Sequence, residues 1–541
     1  MNPHHRTTRL FGSLLLTAAV GISCVGAAPA RPAPGPPPPP TPLSQVIPAP
    51  ASVDAGGSAY RINPGTTIRV DGGSRDVRRI GDYLADVLRP STGYRLPVTA
   101  HGGGNTIRLK LTGKETGDAK GLGDEGYRLD SGSRGVTITA RRPAGLFHGV
   151  QTLRQLLPAA VEKDTRQSGP WLIAGGTVED SPRYAYRGAM LDVSRHFFTV
   201  DQVKRYIDQL SLYKVNKLHL HLSDDQGWRI AIDSWPRLAT YGGSTQVGGG
   251  AGGYYTKDQY KEIVRYASSR YLEVVPEIDL PGHTNAALAS YADLNCDGVA
   301  PPLYTGTAVG FSSLCVPKPL TYEFVDDVLR ELAALTPGST IHIGGDEAHS
   351  TSHADYVTFM NKVQPLVTKY GKSVMGWHQL TGATPVKGAI AQYWGYDATG
   401  AAERKQVVDA AKNGTKLVIS PADRSYLDMK YTRDFPLGLS WAGLVEVQRS
   451  YDWDPGTYLA GAPADSILGV EAPLWTETLS TSANLEVMAF PKLPGIAELG
   501  WSPAATHDWD TYKVRLASQA PRWDALGIGY YRSPQVPWPT N

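Results

Sequence analysis

The chain has 541 residues, 41% of them hydrophobic, which is enough for a large core and more than one domain. Its 53 basic and 51 acidic side chains leave a net charge of +2, so no charge excess recommends a nucleic acid or an anionic membrane as a partner.

Residues 1–30, MNPHHRTTRLFGSLLLTAAVGISCVGAAPA, join a basic start (Arg6, Arg9) to an apolar stretch and then to small residues of the kind a signal peptidase accepts. They predict a signal peptide and a secreted product. Cys24 raises lipoprotein anchoring as an alternative, although Gly21 stands where such signals usually carry a large aliphatic residue. The proline-dense stretch 31–42 predicts an extended linker with no core of its own. Once the signal is cleaved, Cys296 and Cys315 remain, an even count that fits an oxidising compartment and one disulfide. No later segment is apolar and long enough to cross a bilayer.

From Leu43 to about Ser181 the pattern is that of a small α/β domain. Short strands fall at TTIRV and NTIRLKL, a hairpin at GYRLDSGSRGVTITARR, and helices near 75–90 and 144–158. Residues 182–541 change texture, with apolar runs alternating with helical patterns. The candidate strands are YRGAMLDVS, KLHLHLSD, EVVPEIDL, TIHIGGDE, SVMGW, AIAQYWG, TKLVISP and ILGVEAPLWTE, which predicts a (β/α)8 TIM barrel. An open doubly wound sheet fits less well, because no glycine-rich phosphate fingerprint follows the first strand.

The polar residues Asp192, Arg195, Asp224, Asp225, Glu277, Asp279, Asp346, Glu347 and Glu477 all fall at the C-terminal ends of these strands, the face on which such barrels build active sites. Gly344 and Gly345 allow the chain to turn at the rim, so that Asp346 and Glu347 can project toward one cavity. Trp377, Trp394, Tyr426, Trp441 and Trp475 come from later strand ends and loops, and aromatic rings beside acids suit a sugar. Glycoside hydrolysis ordinarily needs two carboxyls about 5 to 9.5 Å apart across the bond. Sequence neighbours are poorly placed for that, so the second acid has another task.

In this order along a barrel, RGAMLDVSRHF, HLHLSDDQGWR, EIDLPGH, HIGGDEAH and WTET resemble the family 20 glycoside hydrolases, the β-N-acetylhexosaminidases, and most closely the secreted bacterial ones. The resemblance runs from about Leu43 to the C-terminus. It implies that the substrate's own 2-acetamido oxygen attacks the anomeric carbon, with Glu347 as general acid and base and Asp346 orienting the acetamide and balancing charge on an oxazolinium-like intermediate. It further implies that Tyr426 donates to the acetamido carbonyl and that Trp377, Trp394 and Trp475 box its methyl. Arg195 and Glu477 would bind ring hydroxyls, Asp428 the 6-hydroxyl, and Trp441 the leaving group, while Asp224 and His283 would position Glu347. The implied substrates are oligosaccharides or glycoconjugates bearing N-acetylhexosamine, chitooligosaccharides among them, with gluco and galacto configurations both open. No cofactor and no metal are expected.

Competing readings are weaker. DEAH also occurs in helicases, but no GxxxxGK[ST] loop is present. His219 and His221 alternate on one strand face, with His342, His349 and His353 elsewhere in the chain, which raises a metal-dependent hydrolase. An HxH pair inside a barrel strand is more often buried and hydrogen-bonded. A sugar-binding protein without catalysis is the third reading, against which the intact acid pair speaks. The glycine-rich stretch 242–253 is expected to be a slack connection.

Overall fold

The computed structural model describes residues 39–71, 74–114 and 120–540. The expected signal peptide, Cys24 and residues 31–38 of the linker lie outside these. No helix among the described residues is long and apolar enough to cross a membrane.

The small domain is a seven-stranded mixed sheet in the spatial order 52–55, 176–180, 127–132, 135–140, 106–111, 67–70, 98–99. The predicted hairpin is its centre, Tyr127–Gly132 pairing antiparallel with Gly135–Ala140. Strict alternation in TIRLKL and GVTITA puts Ile107, Leu109, Val136 and Ile138 on the buried face. Helices Arg75–Thr92 and Pro143–Leu156 cover that face, contributing Leu84, Leu88, Phe147, Val150 and Leu153 to one core. The edge strand 52–55, its neighbour 176–180, and the pair Tyr60–Ile62 with Trp171–Ile173 are absent from the sequence reading because each is short.

This domain is fastened to the barrel by buried polar contacts. Asp180 accepts hydrogen bonds from Lys214 Nζ at 2.9 Å, Trp501 Nε1 at 2.9 Å and Tyr127 Oη at 2.8 Å. Removing one partner from such a buried ion pair costs several kcal/mol, about 3 to 5 in comparable cases.

All eight barrel strands form where the sequence predicts them and close into a parallel ring: β1 Tyr186–Asp192, β2 Lys217–His221, β3 Glu273–Glu277, β4 Thr340–His342, β5 Ser373–Trp377, β6 Ile390–Tyr393, β7 Lys416–Ile419 and β8 Ile467–Leu474. Helices following β1 and β2 begin with reciprocal caps, Thr199 with Gln202 and Thr256 with Gln259. The barrel interior is layered. Tyr186, Val275, Met375, Ile390 and Val418 make an apolar floor. Two residues along β3, β5 and β6, the inward positions are Glu277, Trp377 and Gln392, and with His219, His342 and Glu471 they make a buried polar layer above it. Met190, Trp377, Tyr426 and Trp475 form an aromatic layer at the mouth.

Candidate active site

The turn after β4 answers why two acids stand side by side. Gly344 and Gly345 have φ of 65° and 105°, and Glu347 itself has φ of 47°. A Cβ on Gly344 would collide with the Asp279 carboxyl, and one on Gly345 would stand 2.9 Å from Met360 Cε and Tyr356 Oη. A left-handed conformation at a non-glycine residue costs of order 1 kcal/mol, and here it aims an acid. The Asp346 side chain is 11% exposed and that of Glu347 29%, so one acid is enclosed and its neighbour reaches the open mouth.

His283 stands behind both. Its Nε2 is 3.4 Å from Glu347 Oε2 and 3.7 Å from Asp346 Oδ2, while its Nδ1 is 3.2 Å from Asp224 Oδ1. The other Asp224 oxygen meets Arg195 Nη2 at 2.9 Å and His221 Nε2 at 2.7 Å. Burial disfavours charge on His283, but Asp224 above all holds it protonated, well above the usual imidazole range. Burial also opposes charge on Asp224, and Arg195 and His283 together still keep it well below the ordinary carboxylate range.

Asp346 is pushed the other way. Burial raises its carboxyl to about 6; the His283 cation opposes this, and Glu347 and Glu277 add to it. Asp279, which accepts the Gly345 amide at 3.1 Å, is held well above the carboxylate range by burial and by Asp346.

The aromatic residues form a chain of ring contacts at the mouth. Ring centroids of Trp377 and Trp475 are 5.7 Å apart, Trp475 and Tyr426 6.4 Å, Tyr426 and Trp441 5.9 Å, and Trp441 and Trp394 5.9 Å. Trp377 Nε1 donates to Glu277 Oε1 and Trp394 Nε1 to Gln379 Oε1, each at 2.9 Å, which locks both indoles. Trp441 is 46% exposed, a free ring at the outer edge. Burial keeps Tyr426 a neutral donor, its pKa raised well above 10 with Asp346 and Asp428 adding to the effect.

Arg195 lies with its guanidinium 4.7 Å from the Trp475 ring centroid and its Nη1 3.3 Å from Asp192 Oδ2. Asp428 accepts the Trp475 amide at 3.3 Å, and burial together with Glu477 pushes its carboxyl well up. Burial likewise raises Glu477, against the pull of Arg195. Among the buried polar atoms with no protein partner are Arg195 Nε, Asp346 Oδ1 and Asp428 Oδ2. Buried polar groups are rarely left so, and a hydroxyl- and amide-bearing ligand would satisfy all three. Every site residue named from the sequence therefore stands at this one end of the barrel.

Groups of potential metal ligands do exist, among them His219, Glu277 and His342, whose nearest atoms lie within 4.8 Å of one another. The imidazoles of His219 and His221 are already committed. His219 places Nδ1 2.8 Å from Glu471 and Nε2 2.9 Å from Glu277, and His221 places Nδ1 2.5 Å from Glu277. With carboxylates on both ring nitrogens, His219 and His221 hold protons where a metal would need lone pairs. Burial opposes the charge on His219, yet Glu471 and Glu277 carry its pKa up to about 9. His349 and His353 are exposed and belong to none of these groups.

The stretch 242–253 is a correction. It is pinned rather than slack: Arg229 donates to the carbonyls of Gly243, Thr245 and Gly253 at 2.9 to 3.0 Å, and Val247 N donates to Arg195 O at 2.9 Å. A Cβ on Gly252 or Gly253 would strike backbone or the Phe197 ring, so these glycines serve close approach. From the sequence, Glu277 and Asp279 are placed on the active face without a role, and His221 is weighed only as a metal ligand or a buried hydrogen-bonded ring; the alternation HLHLS opposite EID is the available sign that their side chains share the interior.

A wide cleft of about 1430 Å³ lies between the small domain and the outer helices of the barrel, lined by Tyr83, Arg154, Asp208 and Arg270 among others. Among its lining charges Arg154 pairs with Glu162 at 2.7 Å and Arg270 with Asp208 at 2.8 Å.

Comparison with known proteins agrees with this geometry. Residues 184–356 and 349–504 match the model of glycosyl hydrolase family 20, catalytic domain, and residues 43–181 match that family's domain 2. A β-N-acetylhexosaminidase of Cellulomonas fimi is 41% identical over 91% of this chain and 97% of its own length. The structure of the β-N-acetylhexosaminidase from Streptomyces coelicolor A3(2) superposes with a TM-score of 0.90 at 75% identity, covering 92% of this chain and all of that one. A mutant Streptomyces plicatus β-hexosaminidase in complex with the product GlcNAc gives a TM-score of 0.90 at 76% identity, covering 92% and 99%.

Proposed function

Because the chain belongs to glycosyl hydrolase family 20, we propose that it is an exo-acting, retaining β-N-acetylhexosaminidase that releases terminal non-reducing β-linked N-acetylglucosamine or N-acetylgalactosamine. The observation that carries this is the adjacency of Asp346 and Glu347 on one turn, backed by one imidazole, beneath a cluster of indoles. Two carboxyls so placed do not flank a glycosidic bond, so the nucleophile comes from the substrate.

Glu347 donates its proton to the glycosidic oxygen as that bond breaks. The 2-acetamido oxygen forms a new bond to the anomeric carbon, giving an oxazolinium-like ring. Asp346 orients the acetamide nitrogen and, ionised, balances the positive charge; Tyr426 donates to the acetamido oxygen; Trp377, Trp394 and Trp475 enclose the methyl. Glu347, now a carboxylate, then takes a proton from water as that water attacks the anomeric carbon, and the second inversion restores the β configuration. Arg195, Glu477 and Asp428 hold the hydroxyls of the terminal sugar, and Trp441 offers a platform to the leaving group. Asp224 keeps His283 charged and in place behind Glu347.

Chitooligosaccharides are the proposed natural substrates, and the basic, apolar and small-residue pattern of residues 1–30 supports secretion as part of the proposal. N-terminal sequencing of the protein from culture medium tests the second point; an intact Met1, or a lipid on Cys24, overturns it. The catalytic reading is tested by pairing aryl glycosides that differ only at carbon 2. The N-acetyl compound is expected to react faster than its 2-hydroxy analogue by at least about 10³-fold, the order that an internal nucleophile supplies; equal rates end the proposal.

A further inference from the structure

Glu277 lies beneath the site, fully buried, and touches no group that meets substrate directly except Trp377. One of its oxygens, Oε1, takes Trp377 Nε1 at 2.9 Å and lies 3.0 Å from His342 Nδ1. The other, Oε2, lies 2.9 Å from His219 Nε2 and 2.5 Å from His221 Nδ1. From His221 the line continues to Asp224 at 2.7 Å, to His283 at 3.2 Å and to Glu347 at 3.4 Å. In the opposite direction His219 leads to Glu471, which Tyr186 Oη and Gln392 Nε2 hold at 2.6 and 2.8 Å. Acids and imidazoles thus alternate from the barrel floor to His283, whose Nε2 makes no hydrogen bond within the protein and stands 3.4 Å from the proton donor.

We propose that Glu277 is a positioning residue for the reaction, tying the floor of the acetamide pocket to the line that ends on Glu347 so that nucleophile and proton donor are aligned as a unit. This rests on the reading given under Proposed function. The chemistry favours a carboxylate at this point. Three donors, Trp377 Nε1, His219 Nε2 and His221 Nδ1, converge on its two oxygens, and an ionised carboxylate accepts all three while adding no donor of its own. A glutamine of the same shape has one accepting oxygen and turns an NH2 toward His219 and His221 or toward Trp377 and His342, so one side of the junction is lost. Around Glu277 the titratable groups are His219, His221 and His342, with Glu471 and Asp224 one step further. Burial opposes the Glu277 charge, and His221, His342 and His219 hold it well below the usual carboxylate range, so the junction stays anionic.

The test is a leaving-group comparison on Glu277→Gln. A 2,4-dinitrophenyl glycoside departs without help from an acid, whereas an alkyl N-acetylglucosaminide needs the proton from Glu347. If Glu277 holds the donor line in register, kcat on the alkyl substrate falls at least about tenfold more than on the dinitrophenyl substrate, part of the 10²- to 10⁴-fold that general acid catalysis supplies. A loss that is equal on both substrates to within about twofold overturns the proposal, because a merely structural defect lowers every substrate alike. His221→Gln, which cuts the line while leaving Glu277 on Trp377, supplies the same readout if Glu277→Gln does not accumulate folded. Its expected mark is an unequal loss with KM on the dinitrophenyl substrate held within about twofold, and equal losses again overturn the proposal. Failure here is separable from failure of the underlying reading, since the wild-type enzyme's dependence on the 2-acetamido group is measured without either variant.

Discussion

Gly344 backs directly onto Asp279: with φ at 65°, its α-carbon faces the Asp279 carboxyl so closely that no side chain fits between them. The turn that presents Asp346 and Glu347 therefore depends on a missing methyl group. Gly344→Ala combines a left-handed alanine with a steric clash, together worth about 2 to 4 kcal/mol. It is expected to lower the unfolding temperature and to depress kcat more than KM, because the acids are displaced while the sugar pocket persists. Thermal unfolding and steady-state kinetics check this, and a variant as stable and active as wild type refutes the role given to the turn.

The raised Asp346 carboxyl gives a pH prediction. An acid held up at about 6 in the folded enzyme stays protonated below that value, and neutral Asp346 cannot balance the oxazolinium charge. The groups around it are His283, Glu347, Glu277 and Asp279, so the limb belongs to a cluster centred on Asp346. The acid limb of kcat/KM should then have its midpoint near pH 6 and flatten in Asp346→Asn, whose rate is low throughout. Stability has the opposite sign to activity here. Between the unfolded value near 3.9 and about 6 the folded state binds the extra proton, so Asp346 lowers stability as pH rises through that window and adds nothing further above it. A kcat/KM profile whose acid limb is identical in Asp346→Asn refutes the assignment.

Much of this was legible in the sequence, and the reasons are physical. A strand buried on both faces reads as an uninterrupted apolar run, and β1 and β8 are such strands, so their limits could be placed to within a few residues. The polar residues that follow β1, β2 and β8 gave away Arg195, Asp224 and Glu477. What remained hidden is the interior. His219, Glu277 and Glu471 sit inside strands, far apart in the chain, and only closure of the barrel brings them within 2.9 Å. The stretch 242–253 misled because glycine required for close packing and glycine placed for freedom look the same in sequence.

Arg195 offers a test of the hydroxyl-binding role. Its guanidinium meets Asp192 and Asp224 through separate nitrogens, lies over Trp475, and keeps Nε unpartnered. A lysine is a point charge and cannot reproduce the planar fork or the stacking. Charged hydrogen bonds contribute about 1.5 to 3 kcal/mol each, so Arg195→Lys should lower kcat/KM by at least about tenfold. Deoxygenating the 3- or 4-position of the substrate should cost the wild type much and the variant little. If wild type and variant lose equally on the deoxy substrate, Arg195 does not bind that hydroxyl.

The Cys296–Cys315 disulfide closes a span of 19 residues beside the catalytic turn. Within that span Ser312 Oγ donates to Asp225 Oδ1 at 2.5 Å, and its carbonyl accepts from Ser350 Oγ, three residues beyond Glu347, at 3.0 Å. Cross-linking a loop of this length restricts the unfolded chain by roughly 3 kcal/mol in the chain-entropy model. Cys315 is buried but Cys296 is exposed, so reductant can reach the bond in the folded protein. Reduction, or the double change of Cys296→Ser with Cys315→Ser, should speed thermal inactivation, and kcat should fall a few-fold at temperatures where the barrel remains folded, because Ser312 no longer supports the turn. Matching inactivation half-lives with and without reductant, alongside thiol titration showing both sulfurs free, refute that support.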